Sequence, residues 1–384
     1  MTAPLLYLDN NAATRLDPRV LDAMLPYLTE RYGNPSSLHH FGAREAGSIE
    51  EARGTVARLV GAKESEILFT SGGTESNNAA LRGVRAARPV KKHIIVSAVE
   101  HHAVLESAEA LHSQGIEITR VGVDRDGRLD LDQLRDAIRD DTLLVSIMLA
   151  NNETGAIHPL REISEIAKSR GVLVHTDAIN AAGKIPVNVD ELGVDLLSLS
   201  AHKFHGPKGV GALYIRRGVP FRPLVAGGSQ ERGRRGGTYN VPGIIGMGAA
   251  CRLALECDRF DAAPIRTLRD ELERGLAGLA HSTHLIAGAV ERLPNTTCVC
   301  FEGLPQQALL LLLSEAGVCA SSGSACTSGS LEPSHVLQAM GIAPEVAQGQ
   351  VRFSLSRFNT AEEIQRLLEL LPGIVAKVAM TGWA

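Results

Sequence analysis

The sequence predicts an α/β protein, with a large domain on a seven-stranded, mainly parallel sheet and a smaller α+β C-terminal domain. Three observations carry this. Between residues 66 and 215 short β-rich runs alternate with longer helical patterns, the mark of strand-helix-strand crossovers. After Arg216 the chain enters a stretch, Ala226 to Thr238, too dense in glycine and arginine for a regular element. Beyond it, long helical patterns enclose only a few strand-like runs. A length of 384 residues suits two domains, and 44% hydrophobic with 21% charged residues suits a folded chain rather than a disordered or fibrous one.

The strands of the large sheet are expected at 66–70, 93–97, 116–121, 143–149, 172–177, 195–200 and 209–215, each rich in β-branched and aliphatic residues and followed by turn formers. Between them the helix at 160–170 puts Ile163, Ile166 and Ala167 on one face, and Gly171 supplies its stop. The Gly/Arg-rich segment reads as a loop. A helical zone over 241–279 follows, then a strand at 297–301, a leucine-rich helix, a strand at 351–355 and a closing helix. No internal repeat is present.

Composition narrows the function. The longest strongly apolar run, Ala308 to Leu313, is far short of the roughly 20 residues a membrane helix needs. The first residues lack a basic segment before an apolar core, so a cytoplasmic protein is expected. With 39 basic and 43 acidic residues the net charge is −4, which favours a small substrate over nucleic acid or an anionic membrane. All 6 cysteines lie at or beyond Cys251, so the last third of the chain is where sulfur chemistry could reside. A disulfide framework does not suit a long cytosolic chain.

In an open parallel sheet, ligands bind beyond the carboxyl ends of the strands. Four of those ends carry chemistry here. Ser71-Gly-Gly-Thr-Glu75 follows the first strand and opens a helix, which reads either as an ordinary turn or as amides aimed at a phosphate. Asp177 ends the fifth strand, where a carboxylate is either salt-bridged or faces a ligand cation such as a protonated pyridine. Ser200-Ala-His-Lys203 ends the sixth. Among the lysines, Lys184 and Lys208 fall in Gly/Pro turns, whereas Lys203 follows a buried strand beside a hydroxyl and an imidazole. Desolvation there lowers a lysine pKa and makes the amine a nucleophile for a carbonyl, so Lys203 is the Schiff-base candidate. After the second strand comes Glu100-His101-His102, either a surface pair or an imidazole that stacks on a ring and moves protons. A phosphate turn with a strand-end carboxylate, lysine and histidine together fit pyridoxal phosphate, with Asp177 keeping the ring nitrogen protonated.

The chain resembles the cysteine desulfurases of the NifS/IscS kind, in the class V aminotransferase group of fold-type I pyridoxal-phosphate enzymes. The resemblance runs nearly end to end. It rests on Tyr7-Leu-Asp-Asn-Asn-Ala-Ala-Thr14, Gly33-Asn-Pro-Ser-Ser37, Thr70-Ser-Gly-Gly-Thr-Glu75, Glu100-His101, Asn151-Asn-Glu-Thr-Gly155, His175-Thr-Asp177, Ser200-Ala-His-Lys203, Arg234-Arg-Gly-Gly-Thr238, the Ser321 to Ser330 segment around Cys326, and Arg352-Phe-Ser-Leu-Ser356. It implies an N-terminal segment, 1–15, packed with the small domain, a cofactor domain over 16–258, and a small domain over 259–384 that carries the reactive cysteine. It also implies roles. Lys203 would hold the cofactor, His101 would cover its ring and assist proton transfers, and Asp177 would pair with the ring nitrogen. Asn152 and Asn180 would contact cofactor or substrate. Gly73, Thr74, Ser200 and His202 would hold the phosphate, with Thr238 reaching in from the second subunit of a homodimer. Arg352 would clamp the substrate carboxylate, and Cys326 would accept the sulfur of L-cysteine as a persulfide for an iron-sulfur scaffold or other acceptor protein, with at most a transient cluster shared there and no resident metal.

Cys326 is distinctive on chemical grounds as well. It sits among serines and glycines that cannot pack a core, where a thiolate gains access and reach. Cys251, Cys257, Cys298, Cys300 and Cys319 read as apolar core residues. Three positions depart from the family pattern: Asn180 stands where glutamine is expected, Ala201 replaces a glycine, and Ser229 replaces a histidine. Rival readings are a selenocysteine lyase, a kynureninase-like hydrolase or a plain aminotransferase on the same fold. A cysteine-based metal or cluster carrier is the rival of another class, although paired Cys-x-x-Cys ligands are absent.

Overall fold

The computed structural model describes residues 5–256, 262–323 and 333–381. Its strands are β1 (Leu6–Tyr7), β2 (Ile67–Thr70), β3 (His93–Ser97), β4 (Glu117–Val121), β5 (Thr142–Ser146), β6 (Leu173–Asp177), β7 (Leu196–Ser200), β8 (Gly211–Ile215), β9 (Thr283–Leu285), β10 (Thr296–Phe301), β11 (Val318–Cys319) and β12 (Gln350–Ser354). Seven form one sheet in the order β2-β8-β7-β6-β5-β3-β4. Only β8 runs against its neighbours β2 and β7, so the carboxyl ends of β2, β7, β6, β5 and β3 share one edge.

The apolar residues of β5, Leu143 to Val145, are wholly buried because helices cover both faces. The strand expected at 143–149 ends at Ser146, and Ile147 to Leu149 continue as buried irregular chain leading into the site. The helix Leu160–Lys168 buries Ile163 and Ala167 and half-buries Ile166, and Gly171 follows at φ 67°, the left-handed stop that only glycine adopts cheaply.

The zone 241–279 is two helices, Val241–Glu256 and Ala263–Ala277, and the proline at the first turn of the second marks its start. The first lies against the helices Pro18–Thr29 and His40–Val60 so closely that a Cβ at Gly248 would sit 2.8 Å from that of Ala52. The Gly/Arg-rich segment is a loop with one short turn, Gln230–Gly233. It is pinned by a buried, two-pronged ion pair: Arg53 Nη1 and Nη2 lie 2.8 and 2.9 Å from the Glu231 carboxylate, which also accepts from Phe69 N at 3.1 Å.

The C-terminal part has its own core around the antiparallel sheet β12-β10-β9 and the helices Gln306–Glu315 and Ala361–Thr381. The N-terminal strand belongs to this part, since β1 pairs in parallel with β11. The chain then crosses to the large sheet, where Thr14 N donates to His202 O at 2.9 Å. That crossing brings residues 9–14 over the edge where the strands end.

Candidate active site

Beyond the shared strand edge lies a cavity of about 220 Å³ lined by Gly73, Thr74, Asn77, His101, Asn152, Asp177, Asn180, Ser200, His202 and Lys203 among others. Residues from four separate strand ends, up to 130 positions apart, thus converge on one space.

The helix Gly73–Ala87 begins where β2 turns, and its first amides have no intrahelical acceptor. A Cβ at Gly73 would lie 2.2 Å from Ile179 Cδ1, so any larger residue would have to displace the Ile179 side chain on the cavity wall. Ser71 N donates to Glu75 at 2.8 Å, and Arg235 holds Glu75 in place at 2.9 Å. Across the cavity Ser200 Oγ and His202 Nδ1 share a hydrogen bond of 2.9 Å. Burial and the Lys203, Lys208 and Lys184 charges push the His202 pKa down to about 4, so it is neutral.

Asp177 is 5% exposed. Its two oxygens accept from Asn77 Nδ2 at 2.7 Å and Ile179 N at 2.9 Å, both neutral donors. A buried carboxylate in that setting gains from a cation in the cavity. Two residues upstream, His175 is structural: its ring lies between Ser146 Oγ at 2.8 Å and Ser198 Oγ at 3.0 Å, and burial lowers its pKa to about 3.

His101 caps the helix His102–His112, with Nδ1 accepting from Ala103 N at 3.0 Å. That bond assigns the proton of the neutral ring to Nε2. Burial outweighs the attraction of Asp177 and keeps its pKa below the usual histidine value. Beside it Glu100 is fully buried, accepts from Ser97 Oγ at 2.6 Å and Met148 N at 2.8 Å, and is raised to about 8 by burial, so it is mostly protonated at neutral pH.

The Lys203 amine reaches the main-chain carbonyls of Asn11 and Ala12, at 2.5 and 3.0 Å. The second lysine of the region, Lys184, reaches Asn11 Oδ1 at 2.9 Å and Asn180 Oδ1 at 3.3 Å. Arg352 on β12 is 1% exposed; its Nη2 meets Asp9 at 2.8 Å, its Nη1 the carbonyls of Asn152 and Gly323, and its Nε has no hydrogen-bond partner.

The cavity brings Gly73, Thr74, His101, Asn152, Asp177, Asn180, Ser200, His202 and Lys203 together, and Arg352 joins them through Asn152. Thr238 is exposed and lines a different cavity with Ser71, Arg235 and Tyr239. Cys326 and Cys257 lie outside the described residues. Cys251, Cys298 and Cys300 are buried; burial pushes the Cys298 thiol up to about 12 and raises the other two as well. The departing Ala201 is buried against Gly206, where a Cβ would lie 2.7 Å from its own. Sequence reasoning gave no role to Asn77, Asn11, Lys184 or Glu153. For Asn77 a signal existed, since it falls one turn into the helix that the glycine turn opens.

The donor set fits pyridoxal phosphate. Lys203 would supply an amine for its aldehyde, Asp177 a buried anion for its ring nitrogen, and the Gly73–Thr74 turn with Ser200 and His202 a polar end for its phosphate. An α/β sheet with such a crevice belongs to the fold-type I enzymes that use this cofactor. The comparisons place it further. The sequence matches the aminotransferase class-V family over residues 6–367. It is 52% identical over 373 residues to cysteine desulfurase 2 of Trichormus variabilis, covering 97% of this chain and 94% of that protein. Among solved structures it is similar to a NifS-like protein, with a TM-score of 0.91, 43% identity, and 97% and 100% of the two chains covered. It also resembles SspA in complex with cysteine, with a TM-score of 0.82, 34% identity, and 92% and 100% covered. The chain belongs to the class-V aminotransferase family, whose members are in general pyridoxal-phosphate enzymes, and within it to the cysteine desulfurases.

Proposed function

We propose that this enzyme removes sulfur from L-cysteine: the Cβ–S bond of the substrate breaks, the sulfur joins Cys326 as a persulfide, and L-alanine leaves. The balance is that of a transfer, cysteine and a thiol giving alanine and a persulfide. The observation that carries the reading is the meeting of Lys203, Asp177, His101 and the Gly73 turn around one cavity. It is supported by the similarity to proteins named cysteine desulfurase and to one solved with cysteine bound.

When bound, pyridoxal phosphate supplies an electron sink for the substrate α-carbon. The residues do the rest. Asp177 holds the charge of the ring nitrogen, with Asn77 and Ile179 N fixing the carboxylate. Lys203, at the cavity wall, would hold the cofactor and move the substrate α-proton. His101, neutral with its proton on Nε2, covers the ring and delivers a proton as alanine forms. Arg352 takes the substrate carboxylate; with Nη1 on the Asn152 and Gly323 carbonyls and Nη2 on Asp9, its unused Nε is the donor that gains a partner. The domain division at about residue 258 puts Cys326 on the smaller part and the cofactor residues on the larger.

A homodimer completes the phosphate end, with the partner subunit's Thr238 entering beside the Gly73 turn. The persulfide then passes to an acceptor protein of iron-sulfur assembly or another thiolation route. Among the described residues no helix is long and apolar enough to cross a membrane. The deciding experiment measures alanine, sulfide and protein persulfide from L-cysteine in the cofactor-loaded enzyme. The parent forms alanine and protein persulfide without a reductant and releases sulfide once a thiol reductant is added, and Cys326→Ala forms no protein persulfide; persulfide at the parent rate in that variant would refute the assignment.

A further inference from the structure

The guanidinium of Arg352 is buried and divided among three acceptors. Nη1 donates to the carbonyls of Asn152 at 3.0 Å and Gly323 at 2.7 Å, and Nη2 donates to Asp9 Oδ1 at 2.8 Å. Nε has no hydrogen-bond partner. A guanidinium grips a carboxylate with two prongs along one of two edges, Nη1 with Nη2 or Nε with Nη2. With Nη1 given to main-chain carbonyls, the edge left for a ligand is Nε with Nη2, the terminal nitrogen on the side of the Nε hydrogen. Asp9 holds half of that edge.

The backbone sets Asp9 there. Ser354 N donates to Leu8 O at 2.7 Å and Asn10 N to Ser354 O at 3.2 Å, so residue 9 runs beside β12, bridged to Ser354 two positions from Arg352. Of the ion pair, Asp9 is the member that solvent reaches, with 20% of its side chain exposed against 1% for Arg352. The two carbonyls on Nη1 orient the guanidinium without it. The other carboxylate of the neighbourhood, Glu153, is committed to Ser334 Oγ and Gln350 Nε2. Asp9 thus supplies the charge that a buried cation requires. A second carboxylate arriving at Nε meets an occupied Nη2 and a like charge beside it.

We infer that Asp9 is an internal competitor of the substrate at the carboxylate clamp: a substrate carboxylate gains its two-pronged grip on Arg352 by taking Nη2 from Asp9, so Asp9 sets how tightly that carboxylate is held. This rests on the reading of Arg352 as the substrate clamp. The exchange swaps one hydrogen-bonded carboxylate for another and keeps the guanidinium paired throughout. Asp9 is a positioning residue, acting through Arg352. Because cysteine and alanine carry the same carboxylate, it loosens substrate and product alike, which raises KM and eases product release.

The test uses the full-length, cofactor-loaded enzyme and two probes: L-alanine, and L-alaninol, in which a hydroxymethyl group replaces the carboxylate. Dissociation constants are read by isothermal titration calorimetry. Asp9→Asn removes the charge, and Asp9→Ala removes the acceptor as well. In both, the Kd for L-alanine falls about tenfold while that for L-alaninol changes by less than about twofold. A residue that merely supported the fold would weaken both probes or neither. Unchanged or weaker L-alanine binding in both variants overturns the inference, and so does an equal gain for L-alaninol. Arg352→Gln checks the clamp by itself: L-alanine binding weakens at least about tenfold with L-alaninol unaffected, and a parent-like Kd for L-alanine there sinks the clamp assignment, whichever way the Asp9 variants behave.

Discussion

Asp177→Asn separates the two jobs assigned to this residue, holding local structure and holding a cation. Asp177 Oδ2 accepts from Asn77 Nδ2 at 2.7 Å and Oδ1 from Ile179 N at 2.9 Å. Asn77 Oδ1 is buried without a partner. An amide at position 177 keeps one oxygen for Ile179 N, and its new nitrogen donates to Asn77 Oδ1 once the Asn77 amide turns over. No hydrogen bond is lost, and a buried charge without a cation is removed. Urea denaturation of the cofactor-free variant is therefore expected to give a stability within about 1 kcal/mol of the parent, or above it. Cofactor binding behaves oppositely. A charge-assisted hydrogen bond to the ring nitrogen contributes about 1.5–3 kcal/mol, so the Kd for pyridoxal phosphate, read by its visible absorbance, rises about ten- to hundredfold. An unchanged Kd would refute the role of the carboxylate. A cofactor-free variant weakened by more than about 2 kcal/mol would refute the argument that nothing structural depends on the charge.

Other outcomes follow from single contacts. Glu231→Gln leaves the buried Arg53 guanidinium with only the half-exposed Glu50 as a charged partner, and should lower stability by about 3 kcal/mol, with part of the loss recovered in the double variant with Arg53→Met. Glu153 accepts from Ser334 Oγ and Gln350 Nε2 and lies against Gly323, so it meets residues on both sides of the segment that carries Cys326. Glu153→Gln should leave cofactor absorbance unchanged and slow persulfide formation about ten- to hundredfold, as measured by rapid quench. Stability should depend on pH with two opposite slopes. His158, His175 and His205 stay neutral in the fold to about 4, 3 and 4, whereas the unfolded chain takes up their protons near 6.5. Their contribution is complete above 6.5 and is lost as pH falls below it, by up to about 1.4 kcal/mol per pH unit for each group. Glu100, raised to about 8, keeps its proton in the fold while the unfolded carboxyl ionises near 4.5, so its contribution is lost as pH rises through that window. Stability should peak near neutral pH, and Glu100→Gln should flatten the alkaline side in denaturation series.

Much of the site was legible because its residues follow strands. Lys203, Asp177 and His101 each stand just past a run of buried β-formers, and the carboxyl edge of a parallel sheet is where such residues meet. The strands of the large sheet were recovered within a few residues, with the largest error at 143–149, where the chain leaves regular strand geometry after Ser146 although Ile147 N and Leu149 N still donate to His175 O and Asp177 O of β6; the short strands β1, β9 and β11 were not expected. The helical zone expected at 241–279 holds the two helices Val241–Glu256 and Ala263–Ala277, with Pro264 in the first turn of the second. Cysteine burial was legible in part: Cys251 is buried, and Cys298 and Cys300 share one face of β10 and pack there with Val99, Ile286 and Met340, whereas Cys319, expected in the core, is only half-buried because it lies on the short strand β11.

The sequence by itself determined the α/β class, the family and the identity of the chemically loaded strand ends, because period, turn residues and motif order are local properties. Only the tertiary structure decided what those ends touch. Lys184 read as a turn lysine, and nothing nearby in the chain places it beside Lys203; that depends on Asn11, brought across by β1 pairing with β11. Glu231 read as one charge in a polar loop, yet it is buried against Arg53, 178 positions away. Such pairings are set by where packed elements bring distant residues, and in a low-dielectric interior that placement decides which charges are compensated and which remain available for chemistry.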